Sequence, residues 1–289
     1  MPEPGPVSAA VVRTSGIRRI ILLTLGWEEL PKSISVYGDA SGERLREPVP
    51  GILLEADGGW ILLDTGLNPA LIRDAPLNRR FHGRNKDIEV VLPGPGEPLE
   101  EALDAAGVAM DKIVTVAVSH LHNDHAGGIR HFTALGVPVH LQRDELAYGL
   151  SEHPGPEQNG MFRVDFDDPA IRWELADGEV EIAPGLSAVP SPGHTPGHQS
   201  FVVDIDESVG GGGYVFAFDA ADLTENIERE VAVGGFINCG PEDTVESIRR
   251  LKAVAKERGY PLVPGHDPVA WPALSAELAR RWDAQPKPG

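Results

Sequence analysis

The sequence predicts an α/β chain in which two sheets pack together with helices on the outside. Three observations carry that expectation. Short apolar strands alternate with helix-length stretches in two similar runs. Residues 111–118 (DKIVTVAV) form an apolar, β-branched run, the pattern of a strand buried on both faces. No internal repeat and no linker marks a boundary, so the 289 residues read as one domain, 1–289, with a flexible Pro/Gly-rich start over 1–16.

Taken in order, 17–25 reads as a strand and 27–50 as a long polar connection with short ordered pieces. Residues 51–56 and 60–64 form a hairpin across Asp57-Gly58-Gly59, a turn sequence that supplies positive φ. The stretch 67–98 lacks periodicity and reads as a surface loop bordering a cleft. From 97 to 106, Leu99, Ala102, Leu103 and Ala106 share a helix face, and Gly107 ends it. A strand over 137–141 and a short helix over 143–150 lead to a second cleft-bordering loop, 151–170, rich in Pro, Gly and charge. Strands follow at 171–175, 179–182, 186–189, 199–205 and 214–218. A helix over 244–258, stopped by Gly259, and a strand at 262–263 complete the series.

Composition narrows the function. With 41% apolar residues the chain can bury a core, and its 44 acidic against 25 basic residues give a formal charge of -19. No basic block interrupts that excess, which argues against nucleic acid and anionic membrane as partners. The single cysteine, Cys239, excludes an intrachain disulfide and a one-chain thiolate zinc cluster, and reads as a small, partly buried residue. No apolar run approaches the roughly 20 residues that span a bilayer, and the start lacks a charged segment followed by a long apolar one. The expectation is a cytoplasmic protein.

The chemistry gathers at residues 119–125, Ser-His-Leu-His-Asn-Asp-His. On an extended backbone His120 and His122 point to one face, and Asp124 and His125 follow where the chain turns. The cluster ends the buried strand, the position where α/β sheets carry their sites. Three other glycine-rich turns each follow a strand and hold a ligand type: the segment Gly193 to His198 with His194, Phe218-Asp219-Ala220, and Gly265-His266-Asp267. His82, His131, His140 and His153 read as solvated or packed side chains.

Together HLHNDH, His194, Asp219 and His266, with Asp64 in LLDTG, resemble the ordered ligand set of the metallo-β-lactamase superfamily from about residue 17 to 266. The runs GHTPGHQS and FDAADLTENIE are most similar to the quorum-quenching N-acyl-homoserine lactonases. The resemblance implies an αβ/βα four-layer sandwich with two divalent metal ions between the sheets. His120, His122 and His194 would hold one ion, Asp124, His125 and His266 the other, and Asp219 would bridge them. Zn suits this set best, with Fe, Mn or Co acceptable. Asp64 and His198 would stand behind the ligands and orient them.

The implied reaction is opening of a lactone by attack of a metal-bridging hydroxide, with Asp124 or a water protonating the leaving ring oxygen. Aryl esters, phosphotriesters and β-lactams are the alternative substrates, and a metal-binding regulator without activity is the alternative from another class. A homodimer is expected by analogy with such lactonases. One departure stands out: those lactonases carry a tyrosine three residues after the bridging aspartate, and this chain has Asp222. A carboxylate there would contact a substrate hydroxyl or amine, or pair with Arg229. Trp27, Phe81, Met161 and Phe162 lie in irregular stretches and are candidates to border the cleft.

Overall fold

The computed structural model describes residues 16–83, 87–152, 159–235 and 239–283. The expected flexible start, apart from Gly16, and His153 lie outside these residues. Among them, two sheets form. The larger contains β1 (Arg19–Pro31), β2 (Arg44–Ala56), β3 (Gly59–Leu63), β4 (Glu89–Val91), β5 (Ile113–Ala117), β6 (Pro138–Gln142) and β7 (Arg172–Ala176) in the order β4-β1-β2-β3-β5-β6-β7. The smaller contains β8 (Val180–Ala183), β9 (Leu186–Pro190), β10 (Gln199–Asp204), β11 (Gly213–Phe218) and β12 (Leu262–Pro264) in the order β12-β11-β10-β9-β8.

Layering follows from which faces are apolar. Ile20, Ile52, Leu54 and Leu63 of the first sheet meet Leu186, Phe201, Phe216 and Phe218 of the second in a buried cluster between the sheets. The opposite face of the first sheet is covered by Leu99 and Leu103 of the helix Pro98–Ala106, by Phe132 and by Phe166. The opposite face of the second is covered by Ile248, Leu251 and Ala255 of the helix Pro241–Arg258. Helix, sheet, sheet and helix thus make the four layers that the sequence predicts. Gly107 (φ 71°) and Gly259 (φ 70°) close these two helices in the left-handed conformation, as read from sequence.

Four expectations need correction. The stretch 27–50 is no connection: β1 and β2 are 13-residue strands that pair along nearly their whole length, with a register shift between Thr24 and Trp27. Pro48 and Pro50 disguise β2, yet they are tolerated because its pairing to β3 begins only at Ile52, leaving their other side without a ladder. The loop 67–98 contains the helices Pro69–Arg73 and Ala75–Phe81, capped by the side chains of Asn68 and Asp74, and then β4. The run 111–118 is not buried throughout, since Val114 of β5 is exposed. Last, Ala270–Asp283 is a helix the sequence reading leaves unassigned. It buries Trp271, Leu278 and Trp282, and its two indoles donate to backbone oxygens of β1, Trp271 to Leu23 at 3.3 Å and Trp282 to Ile20 at 2.7 Å.

Candidate metal centre

The strand ends converge. β3, β5, β11 and β12 all finish at one edge of the sandwich, and Asp64, the 119–125 turn, Asp219 and His266 follow them directly. His194 follows β9 in the same way. Two of these turns are strained, with Asp64 at φ 56° and Phe218 at φ 48°, a region that non-glycine residues seldom adopt. Each kink redirects the chain at the position where a site carboxylate is displayed.

The structure brings together all seven expected ligands, in two groups: His120, His122, His194 and Asp219 in one, Asp124, His125 and His266 in the other. Asp219 lies between them with one oxygen toward each. Its Oδ2 is 3.6 Å from His120 Nε2 and 3.4 Å from His194 Nε2; its Oδ1 is 3.2 Å from His125 Nε2 and 3.0 Å from His266 Nε2. Asp124 Oδ2 is 3.0 Å from His125 Nε2.

Hydrogen bonds on the far side of each ring aim these nitrogens inward. His194 Nδ1 donates to Gly235 O at 2.7 Å and His266 Nδ1 to Pro48 O at 2.9 Å. His125 Nδ1 donates to Asp64 Oδ2 at 2.6 Å. Ser119 Oγ donates to that same oxygen at 2.7 Å and contacts His120 Nδ1 at 3.0 Å, while Ser119 N donates to Asp64 Oδ1 at 2.6 Å. Asp64, fully buried, therefore fixes two ligand rings, one directly and one through Ser119.

A cation fits this arrangement. His122 Nδ1 stands 2.9 Å from His120 Nε2 and 2.8 Å from His194 Nε2. With their outer nitrogens protonated for the bonds above, His120 and His194 present lone pairs inward; a proton on His122 Nδ1 can meet only one of them, and a shared cation meets both. Burial lowers the His120, His122 and His194 pKa values, His122 to about 3, so all three are neutral donors. Burial also opposes charge on His125 and His266, but carboxylates outweigh it and raise both: Asp124, Asp219 and Asp64 around His125, Asp219 foremost beside His266. Burial would raise Asp124, yet His125 and His266 bring it down to about 2. One group is thus three neutral imidazoles beside the Asp219 carboxylate and the other two charged imidazoles beside Asp124, a donor set of nitrogen and oxygen suited to borderline divalent ions.

Behind the ligands, His198 is fully buried, its Nδ1 2.9 Å from Ser191 Oγ and its ring 5.2 Å from that of His120. It packs against a ligand rather than joining either group. Burial holds its pKa down at about 3. A residue that sequence reasoning missed, Glu145, ties two ligand loops together. Its Oε1 accepts from Leu121 N at 3.0 Å, and its Oε2 accepts from Thr195 Oγ1 at 2.8 Å and from Gly197 N at 3.0 Å.

In front of the ligands lies a cavity of about 290 Å³. Phe81 and His82 border it from the first expected loop, and Asn159, Gly160 and Phe162 from the second. Phe81 and Phe162 pack ring to ring at 4.9 Å. Two expected cleft residues are elsewhere. Strand alternation turns Trp27 away and puts its neighbour Glu28 on the cavity. Met161 is fully buried in the core under the first sheet, between two residues that do line the cleft.

Asp222 does face the cavity. It does not pair with Arg229, which bonds Glu225 instead. Its Oδ1 is buried without a partner, and burial, reinforced by Asp219, drives its pKa well above the carboxylate range. Glu47 and Glu28, both missed in the sequence, complete the lining; burial raises them to about 7 and about 8.

A sandwich of this kind, with paired His/Asp groups at its strand ends, defines a class, and comparison with known families gives it a name. The metallo-beta-lactamase superfamily matches residues 46–266, and the chain belongs to that superfamily. Within it, the chain is 32% identical over 228 residues to N-acyl homoserine lactonase AiiA of Bacillus thuringiensis subsp. kurstaki, covering 78% of this chain and 84% of that one. It is 33% identical over 233 residues to N-acyl homoserine lactonase AttM of Azorhizobium caulinodans, with the same coverage. Among solved structures, a B. thuringiensis AiiA variant with N-decanoyl-L-homoserine at its active site superposes with a TM-score of 0.75 at 29% identity, covering 88% of this chain and 94% of that one. An N-acyl homoserine lactone hydrolase with the product N-hexanoyl-L-homoserine at its catalytic metal centre gives 0.74 at 29%, with the same coverage.

Proposed function

We propose that this protein opens the ring of an N-acyl homoserine lactone or related lactone at the site built by His120, His122, Asp124, His125, His194, Asp219 and His266. The chain is a metal-dependent hydrolase, and the observation that carries the lactonase reading is Asp219, with one carboxylate oxygen toward each ligand group in a fold shared with product-bound lactone hydrolases. His120, His122 and His194 would hold one divalent ion and Asp124, His125 and His266 the other, with zinc favoured by the donor set. When bound, the ions supply an activated water and an electrophile for the ester carbonyl.

The chain's own residues then have defined tasks. Asp64 and Ser119 keep His125 and His120 in the tautomers that face inward. Phe81 and Phe162 shield the cleft and contact the acyl group. Water adds to the carbonyl carbon while the ionised Asp124 takes up one of its protons, the bond to the ring oxygen breaks, and Asp124 returns that proton to the ring oxygen, giving a hydroxy acid.

A panel of lactones, aryl esters, phosphotriesters and β-lactams tests the reading. The expected result is lactone opening that disappears on chelation, returns with Zn²⁺ and accompanies about two metal ions per chain. Efficient phosphotriester or β-lactam cleavage without lactone opening would refute it. Among the described residues no helix is long and apolar enough to cross a membrane, and Cys239 is a free thiol. A cytoplasmic homodimer is part of the proposal, and sedimentation and cell fractionation test it.

A further inference from the structure

The cleft carries acid that the ligand groups do not use. Glu28 on β1 and Glu47 on β2 are register partners in the antiparallel pair, and both line the cavity with Asp222. Like charges directly opposite in a sheet are destabilising. No lysine or arginine among the described residues lines the cavity to offset them. The basic side chains nearest in sequence are engaged elsewhere: Lys32 with Glu225 at 2.8 Å, Arg46 over the Trp27 ring and with Glu29 at 3.7 Å.

Glu47 Oε1 accepts from Ser35 Oγ at 2.6 Å, but Asp222 Oδ1, in a residue 6% exposed on the cavity wall, has no donor at all. A buried carboxylate oxygen without a donor is costly unless something arrives to meet it. These three acids are not a third ion site, because among the described residues only the seven ligands form groups close enough to chelate.

Resting on the lactone reading, we propose that Glu28, Glu47 and Asp222 form an acidic wall that recognises a cationic nitrogen on the substrate, so that the preferred substrates are lactones bearing an ammonium group. An ammonium that reaches the wall releases to solvent the protons that burial holds on these acids and pairs with the resulting carboxylates, whereas a neutral chain end leaves those protons in place.

The experiment uses the zinc-loaded full chain and matched pairs. kcat/KM is measured for N-hexanoyl-homoserine lactone and its 6-amino analogue, and binding of n-hexylammonium and 1-hexanol is measured by calorimetry. Both ratios are expected to favour the cation by about tenfold or more, the scale of a partly screened charge pair. Both should fall toward one in Glu28→Gln, Glu47→Gln and Asp222→Asn, with zinc content held at the wild-type level. Each substitution preserves shape, and a ratio taken within one variant is insensitive to a general loss of activity.

Ratios near one in the wild type, or unchanged in all three variants, would overturn the proposal. So would variants that lose zinc while keeping the preference, since the acids would then serve the metal charge. If neither lactone is opened but hexylammonium is still preferred and the variants abolish that preference, the lactone reading falls and the wall stands.

Discussion

Replacing Glu145 with alanine should loosen two ligand loops at once. The fully buried carboxylate accepts from Leu121 N, Thr195 Oγ1 and Gly197 N, and no water can replace it. Stranding three buried donors costs about 1–3 kcal/mol each, or roughly 3–9 kcal/mol in all. Against this, burial raises the Glu145 pKa from 4.5 to about 7, so removing the group returns about 3 kcal/mol wherever it is ionised.

The sign follows from proton binding. Between pH 4.5 and about 7 the folded state holds a proton that the unfolded state has released, so this group's contribution to stability falls as pH rises through that window. The variant should therefore be destabilised by about 3 kcal/mol at pH 8 and by more at pH 5.5. Urea unfolding followed by fluorescence of the five tryptophans measures both. Zinc affinity, read by competition with a chromogenic chelator, should fall with it because His120, His122 and His194 lie on the released loops. A loss below about 1 kcal/mol at pH 5.5, or one larger at pH 8 than at pH 5.5, would refute the reasoning.

Three further outcomes are expected. Asp64→Asn removes the charge that His125 Nδ1 and Ser119 share, so metal affinity should fall about 10–100-fold in a competition titration while the circular dichroism spectrum is unchanged. Gly127→Ala would place a Cβ 2.3 Å from Asn68 N and 2.6 Å from Leu67 C, backbone that cannot step aside, and thermal unfolding should show a loss of about 2 kcal/mol or more. Asp165, whose Oδ1 accepts from Asn68 Nδ2 at 2.7 Å, is raised by burial to about 7 from 3.8. Asp165→Asn should therefore gain on the wild type as pH climbs from 4 to 8, by at most about 4 kcal/mol in urea midpoint comparisons.

The residues of the two His/Asp groups were legible because each is a polar side chain placed shortly after an apolar strand stops, a conflict between neighbours that points to chemistry. Most strands and both long helices before residue 264 were legible from the same apolar periodicity and from Gly107 and Gly259. What escaped depends on pairing between distant segments. Glu28 and Glu47 fall in a stretch that reads as a polar connection until β1 and β2 are seen to pair along nearly their whole length, with β3 pairing only from Ile52, beyond Pro48 and Pro50. Glu145 has no local signal, because its three donors come from residues 121, 195 and 197. Trp27 and Met161 failed as cleft residues by one position each, since exposure alternates along a strand and a turn beside a cavity still feeds one side chain into the core. The helix Ala270–Asp283 did carry a signal, Trp271, Leu274, Leu278 and Trp282 at helical spacing, obscured by Pro272 near its start.

That helix imposes an order on synthesis. β1 leaves a ribosome well ahead of the indoles that bond its Leu23 and Ile20 carbonyls, which belong to Trp271 and Trp282, 248 and 262 residues further on. His266 arrives equally late and takes its own backing from Pro48 O at 2.9 Å. Contacts closing so large a loop slow folding. A nascent chain therefore carries β1 with these carbonyls unbonded, and the two His/Asp groups incomplete, until residues 266–282 emerge, so an ion that needs both groups can bind only after that point.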